Sequence, residues 1–328
     1  MLLTLNPTIE EATAVLKSGE LVAFPTETVY GLGADAANPK AVKKIYAAKG
    51  RPRNHPLIVH VARVEQVGEW AARLSPAAQR LAERYWPGPL TLIVKRAAHV
   101  NDLVTGGQDT IALRVPSHPI AHAMLAGFGG GIAAPSANRY GRVSATTAAH
   151  VRSEFGDLVG CILDGGPSNV GIESTIVDVS GDAPALLRPG HITAREIEAA
   201  LGMPLAAPGG ESPRAPGSLA KHYAPQTPLM VIEADLVLEL AGSMTRQGHK
   251  VAVLARSALQ PLLNGVTWVA APADAAGYAH DLYANLRALD AAGCSAILVE
   301  QPPLDAAWAA VADRLMRAAA GSASPDAT

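Results

Sequence analysis

Between Lys49 and His60 the chain reads Lys49-Gly-Arg-Pro-Arg-Asn-His-Pro-Leu-Ile-Val-His60, with two cations set on either side of a glycine. A glycine there lets the backbone approach a ligand closely. Pro52 then restricts Arg51, and a strand-like apolar run carries His60. Upstream lies a threonine-rich turn, Pro25-Thr-Glu-Thr-Val-Tyr-Gly-Leu-Gly33. A cationic turn beside a hydroxyl-rich one suits an anionic ligand, most simply a polyphosphate. Lys and Arg usually end as solvated surface charge; the glycine between this pair and the prolines after it favour a site. Arg114, at the end of another strand-like run, can grip a carboxylate with two parallel hydrogen bonds. Taken alone, His60 reads as a hydrogen-bonded core histidine, and Ser136 and Ser174 as turn hydroxyls.

These residues need a scaffold, and the hydrophobic pattern supplies one. Ile9, Ala12 and Leu16 space out a helical face that stops at Gly19, and residues 21–24 read as a buried strand entering the Pro25 turn. Residues 39–48 form a short helix with Val42, Ile45 and Tyr46 inward, and 57–61 a strand. Ser75 and Pro76 start a helix that Trp86-Pro-Gly-Pro89 ends. Strands follow at 90–94, 111–115, 132–134, 159–163 and 175–179, and Thr193 to Glu196 has capping-box spacing. After a stretch dense in Pro, Gly and Ser, strands at 229–232, 251–254 and 296–299 alternate with helical segments, two of them at 273–292 and 308–319. That alternation implies a parallel sheet with helices on its faces. No glycine signature follows the first of those strands, so this part receives no catalytic residue.

Composition narrows the class. The 328 residues suffice for two cores, and 49% hydrophobic with 17% charged residues belongs to globular rather than disordered chains. A net charge of -2 argues against nonspecific nucleic-acid binding; Lys43 and Lys44 read as the solvated face of a helix. Two distant cysteines, Cys161 and Cys294, read as buried thiols rather than a disulfide or zinc framework. The N-terminus lacks the basic and apolar regions of a signal peptide, and no apolar run reaches membrane-spanning length, so a cytoplasmic, membrane-free enzyme is expected. Gly127-Phe-Gly-Gly-Gly131 lacks the Gly-Lys-Ser/Thr of a Walker loop and reads as the end of a helix; Gly31-Leu-Gly33 lacks the third glycine of a dinucleotide site. No cluster of carboxylates or Cys/His spacing marks a protein-built metal site.

Seven motifs occur in one order: the two above, then Ala112-Leu-Arg-Val-Pro116, Ala134-Pro-Ser-Ala-Asn138, Gly171-Ile-Glu-Ser-Thr175, Leu187-Arg-Pro-Gly190 and Pro216-Gly-Ser-Leu-Ala-Lys-His-Tyr-Ala-Pro225. Together they resemble the YrdC-type family in its two-domain form, the threonylcarbamoyl-adenylate synthases. The resemblance implies a nucleotidyltransferase that forms threonylcarbamoyl-AMP and pyrophosphate from L-threonine, bicarbonate and ATP. It implies an α/β fold: a YrdC-like twisted mixed sheet with helices at 1–204 and a smaller Rossmann-like parallel α/β domain at 229–320. Between them a linker at 205–228 is expected to fold over the active site, and a disordered tail is expected at 321–328.

By the same resemblance Lys49 and Arg51 carry the chemistry. Arg51, His55, Thr110, Ser136, Asn138, Ser144, Arg188 and Tyr223 match its ATP site. Thr28, His60, Arg114 and Ser174, with the backbone of Ala134, match its threonine site. Magnesium is expected to arrive with the triphosphate, since it keeps its waters and takes few protein ligands. The product would pass to a tRNA threonylcarbamoyl-transferase complex for modification of an adenosine, with room for a weak tRNA contact. Two other readings stay open: a noncatalytic RNA-binding module, against which the 4% aromatic content counts, and a carbamoyl-adenylate-forming relative, which usually sits in longer, cysteine-rich chains.

Overall fold

The computed structural model describes residues 7–210, 212–217, 220–260 and 263–322. Of the tail expected at 321–328, residues 323–328 lie outside that set. By contacts the chain divides into two units, Met1–Tyr140 with Ala145–Ser218 and Gly141–Ser144 with Leu219–Thr328. The short stretch Gly141–Ser144 therefore sorts with the distant C-terminal residues, which no local pattern announces.

In chain order the first unit contains α1 (Ile9–Lys17), β1 (Val22–Phe24), β2 (Gly31–Asp35), α2 (Pro39–Lys49), β3 (Ile58–His60), α3 (Pro76–Tyr85), β4 (Leu90–Lys95) and α4 (Asp102–Thr105). It continues with β5 (Thr110–Arg114), α5 (Pro119–Phe128), β6 (Ile132–Ala133), α6 (Ala148–Phe155), β7 (Cys161–Ile162), β8 (Thr175–Asp178), β9 (Ala185–Arg188) and α7 (Ala194–Leu201). Its strands make one mixed sheet, ordered β7-β1-β2-β6-β3-β5-β4-β8-β9. The helix ends follow local chemistry. Thr8 with Glu11 and Thr193 with Glu196 form capping boxes, and Asn38 and Ser75 cap helices that begin with proline. Gly129, in the left-handed conformation, closes α5, as expected of the Gly127–Gly131 run.

Alternation along the strands decides where a site can form. Val59 and Leu113 point into the larger core, with Tyr30, Ile45 and Leu81. Ile58 and Ala112 point the other way, into a small cluster with Ile93, Ile176 and Ala215. His60, Thr110 and Arg114 share that second face by the period of two. On the same side, farther along the sheet, α1 and α5 cover Val22, Phe24 and Ile132.

Three elements of this unit depart from the sequence pattern. The strand β2 occupies what reads as a turn. A Cβ on Gly33 would stand 2.8 Å from the Phe24 ring and 2.9 Å from Ile132, so the glycine serves packing within the sheet. The helix α5 is rich in Ala and Gly and almost uncharged, which blurs its periodicity, and the short β9 is partly exposed and irregular in pairing. Cys161 is buried as expected, whereas Cys294 is half-exposed beyond a helix end, a correction to its reading as a buried thiol.

The second unit contains β10 (Leu229–Ile232), α8 (Val237–Arg246), β11 (Val251–Ala255), β12 (Val266–Ala270), α9 (Ala275–Asp290), β13 (Ala296–Glu300) and α10 (Ala309–Ser322). Its four strands are all parallel, ordered β10-β13-β11-β12. The two central strands are buried throughout, while β12 is a half-exposed edge. No helix among the described residues is long and apolar enough to cross a membrane.

Candidate active site

The threonine-rich turn is locked from within. Thr26 Oγ1 donates to the Val29 carbonyl at 2.6 Å and accepts the N–H groups of Thr28 and Val29, both at 3.2 Å. Its hydroxyl hydrogen and both lone pairs are thereby used, and the Thr28 hydroxyl lies 2.9 Å away. Arg114 Nη1 then donates to Thr28 Oγ1 at 2.9 Å, while Nε donates to the Gly88 carbonyl at 3.2 Å. Glu27 Oε1 lies 2.7 Å from Arg114 Nη2. His60 and Arg114 are register partners on β3 and β5, so their side chains emerge side by side. His60 is buried, and its Nδ1 has no hydrogen-bond partner. Burial first, and the Arg114 charge second, lower its pKa from 6.5 to about 3, which keeps the imidazole neutral.

The cationic turn begins where α2 ends. Gly50 is its left-handed cap at φ 66°, and nothing lies within 4 Å of where its Cβ would be. Its left-handed backbone reverses the chain there. Lys49 and Arg51 are both buried, so neither is surface charge. Lys49 Nζ donates to the carbonyls of Ser136 and Asn138 at 2.6 and 2.5 Å. Burial, and then the neighbouring Arg51 charge, push the Lys49 pKa well below 10.5. Arg51 Nη2 donates to the Pro56 carbonyl at 2.9 Å, and its guanidinium lies 5.9 Å from the Tyr140 ring centroid. The Tyr140 hydroxyl meets His55 Nδ1 at 3.2 Å. His55 is held below its ordinary pKa by burial, then by Arg51 and Arg214.

The Ala134–Asn138 turn joins the two groups. Ala134 N donates to the Ile58 carbonyl on β3 at 2.9 Å, and two residues on the turn presents its carbonyls to Lys49. Ser136 is half-buried and Asn138 buried. Thr110 opens β5 on the same face as Arg114. Ser174 Oγ bonds Thr91 Oγ1 at 2.8 Å and accepts from Arg188 Nη2 at 3.1 Å. Arg188 also donates to the Ser174 carbonyl from Nε and Nη2, and to the Pro216 carbonyl from Nη1 at 2.8 Å. Twelve of the expected residues thus lie in the first unit, on β3, β5, β9, the end of α2 and the connecting segments. Ser144 and Tyr223 lie in the second unit. There the Ser144 carbonyl accepts from Arg287 Nε at 3.1 Å, and Tyr223, at φ 60°, stacks on Tyr283 with ring centroids 5.7 Å apart.

Comparison with known proteins gives the arrangement its context. Residues 14–190 match the family model described as "Telomere recombination", and residues 192–320 match "Threonylcarbamoyl-AMP synthase, C-terminal domain". The threonylcarbamoyl-AMP synthase of Bacillus subtilis is 41% identical, covering 97% of this chain and 94% of that one. Its namesake from Pyrococcus abyssi is 39% identical over 94% and 93% of the two chains. The chain belongs to the threonylcarbamoyl-AMP synthase family. The crystal structure of P. abyssi Sua5 complexed with L-threonine matches with a TM-score of 0.89 at 36% identity, covering 98% of each chain.

Against that family background, Glu27 and Tyr140 are the residues that motif reading passes over. Each sits inside or just beyond a recognised motif and touches a recognised residue, Glu27 on Arg114 and Tyr140 on His55. The usable signal for Glu27 is an acid between two threonines directly after a buried strand.

Proposed function

We propose that this chain makes threonylcarbamoyl-AMP and pyrophosphate from L-threonine, bicarbonate and ATP, for modification of an adenosine in tRNA. The observation that carries the reading is the burial of Lys49, Arg51 and Arg114 in the first unit, with Thr28 bonded to Arg114 and His60 its register partner. Burying charge is costly unless it is paired, so a cluster of buried cations suits an anionic ligand. Family membership names a reaction whose reactants are anions or zwitterions.

Arg114 binds the threonine carboxylate. Thr28 Oγ1, which accepts from Arg114, keeps a second lone pair for an amine or hydroxyl donor, and His60 contacts the ligand as a neutral ring. Ser174 and the backbone of Ala134 complete this half. The threonine ammonium first gives up a proton to solvent; the freed amine attacks the bicarbonate carbon, a C–O bond breaks and water leaves, giving the carbamate, and a carbamate oxygen then attacks the α-phosphorus of ATP and expels pyrophosphate. Lys49 and Arg51 balance the charge of that step, and the approach of a triphosphate would favour the charged form of Lys49. His55, Thr110, Ser136, Asn138 and Arg188 form the nucleotide half within the first unit. Magnesium enters as part of the substrate, bound to the triphosphate; among the described residues no three His, Cys, Asp or Glu side chains cluster to hold an ion. A dry pocket protects the mixed anhydride from water. The product then goes to a tRNA threonylcarbamoyl-transferase complex, in the cytoplasm.

Incubation with labelled bicarbonate tests this. Label should enter an AMP-linked product only when threonine and ATP are both supplied. Incorporation that ignores threonine would remove the assignment.

A further inference from the structure

We propose that Glu27 and Arg114 act together as a receptor for a zwitterion, Glu27 taking the ammonium of the amino-acid substrate and thereby rejecting plain carboxylic acids. This deepens the threonine reading above and rests on it.

Both side chains are nearly inaccessible, Glu27 at 6% and Arg114 at 3% exposure. Each is anchored away from the contact between them. Glu27 Oε2 accepts the Ser117 N–H at 3.2 Å. Arg114 is held through Nε by Gly88 and through Nη1 by Thr28. What remains is Oε1 and Nη2, 2.7 Å apart. The separation is that of an ion pair, yet neither atom has a hydrogen-bond partner of acceptable geometry, so the contact is charge against charge with no N–H aligned on the oxygen. A pair serving stability alone would close that bond, because an unfilled polar atom in the interior is costly. Left open side by side, the two atoms offer an acceptor and a donor to a single ligand.

Charge balance then sets the specificity. Glu27 and Arg114 are neutral as a pair, and a zwitterion adds no net charge to the buried site. A simple carboxylate would bring an uncompensated negative charge beside Glu27. Without Glu27 the site would be a plain cation and would prefer that carboxylate. Two neighbours agree with a ligand rich in donors: Thr28 Oγ1 accepts from Arg114 and keeps a second lone pair, and Nδ1 of His60, the register partner of Arg114, is unfilled. A site that hydrogen-bonds a substrate group discriminates strongly against the analogue that lacks it.

The test uses the full-length protein, wild type and E27Q, and two ligands: L-threonine and the hydroxy acid in which a hydroxyl replaces its amine. Calorimetry should show that the wild type prefers threonine. E27Q, which keeps the shape and an acceptor for Ser117, should bind threonine about tenfold more weakly or worse while holding the hydroxy acid unchanged or more tightly. The preference then collapses. Equal weakening of both ligands would mean that Glu27 only props Arg114, and the proposal falls. E27D, which keeps the charge, should preserve the preference even if both affinities drop; loss of preference there would count against the proposal. Should E27Q fail to fold, the wild type still decides, since equal affinity for the two ligands overturns the zwitterion receptor. A wild type that binds threonine without preference refutes this inference alone, whereas one that binds no threonine refutes the functional reading as well.

Discussion

Glu27 in the first unit and Glu300 in the second are both carboxylates buried beside an arginine, and their surroundings differ in kind. Glu300 Oε2 accepts the N–H groups of Arg256, Ser257 and Ala258 at 2.8, 2.8 and 3.1 Å, and Oε1 accepts the Ser257 hydroxyl at 2.5 Å. Burial alone would raise its pKa, but these bonds together outweigh burial and leave it below the ordinary 4.5. Arg256 Nη2 stands off at 3.6 Å. Glu300 ends β13, and its donors follow β11, the adjacent parallel strand. Ligands of open parallel sheets usually bind at such strand ends; here the protein's own carboxylate fills the ring of N–H groups. Glu27 has one backbone donor and one guanidinium, with Oε1 left open. The contrast teaches that burial of a charge does not itself mark a site. Unfilled hydrogen-bonding capacity on a buried charge does.

Substitutions can break this contrast, and R114A should have the largest effect. It should cost threonine binding about 2–5 kcal/mol, since the ligand loses its charge-assisted partner and Glu27 is left alone. Unchanged affinity by calorimetry, with the fold intact, would make Arg114 structural. Next comes E300A, which strands three backbone donors and should lower unfolding stability by on the order of 3 kcal/mol without altering threonine affinity. If urea melts were unaffected while threonine binding fell, the roles assigned to the two carboxylates would have to be exchanged.

A pH series sharpens the first region further. The folded protein keeps His60 neutral down to about pH 3, whereas the unfolded chain protonates it near 6.5. The unfolded state therefore binds more protons in that window, and stability should fall as pH drops through it. His60→Gln should flatten that part of the curve; an unchanged slope would show that other groups cause it. The smallest effect is expected from S257A, which removes one of four bonds to Glu300 and should cost about 0.5–1.5 kcal/mol in a denaturant melt.

Much of the scaffold is legible in the residues because its signals are local. Ser75-Pro76, Asn38-Pro39 and Thr193 to Glu196 start helices by chemistry contained in a few positions, and the strands on either side of Arg114 announce themselves by apolar runs. The strand β2 is hidden because its glycines answer to Phe24 and Ile132 across the sheet. The candidate site residues are named through motifs, and the motifs do not reveal their state. Nothing in Lys49-Gly-Arg51 says that both cations are buried, since the cover comes from the Ala134–Asn138 turn, far along the chain. Glu27 is missed for the same reason, as its burial depends on Arg114 and Ser117. The assignment of Gly141–Ser144 to the second unit arises from Arg287, which donates to the Val143 and Ser144 carbonyls, and from Ala224, whose N–H donates to Gly141.

Pyrophosphate release from ATP, measured with threonine and bicarbonate supplied together and then with each withheld, tests the central claim most directly. The account expects release only when both are present. Equal release without threonine would contradict it, because the buried cluster around Arg114 would then have no part in the reaction.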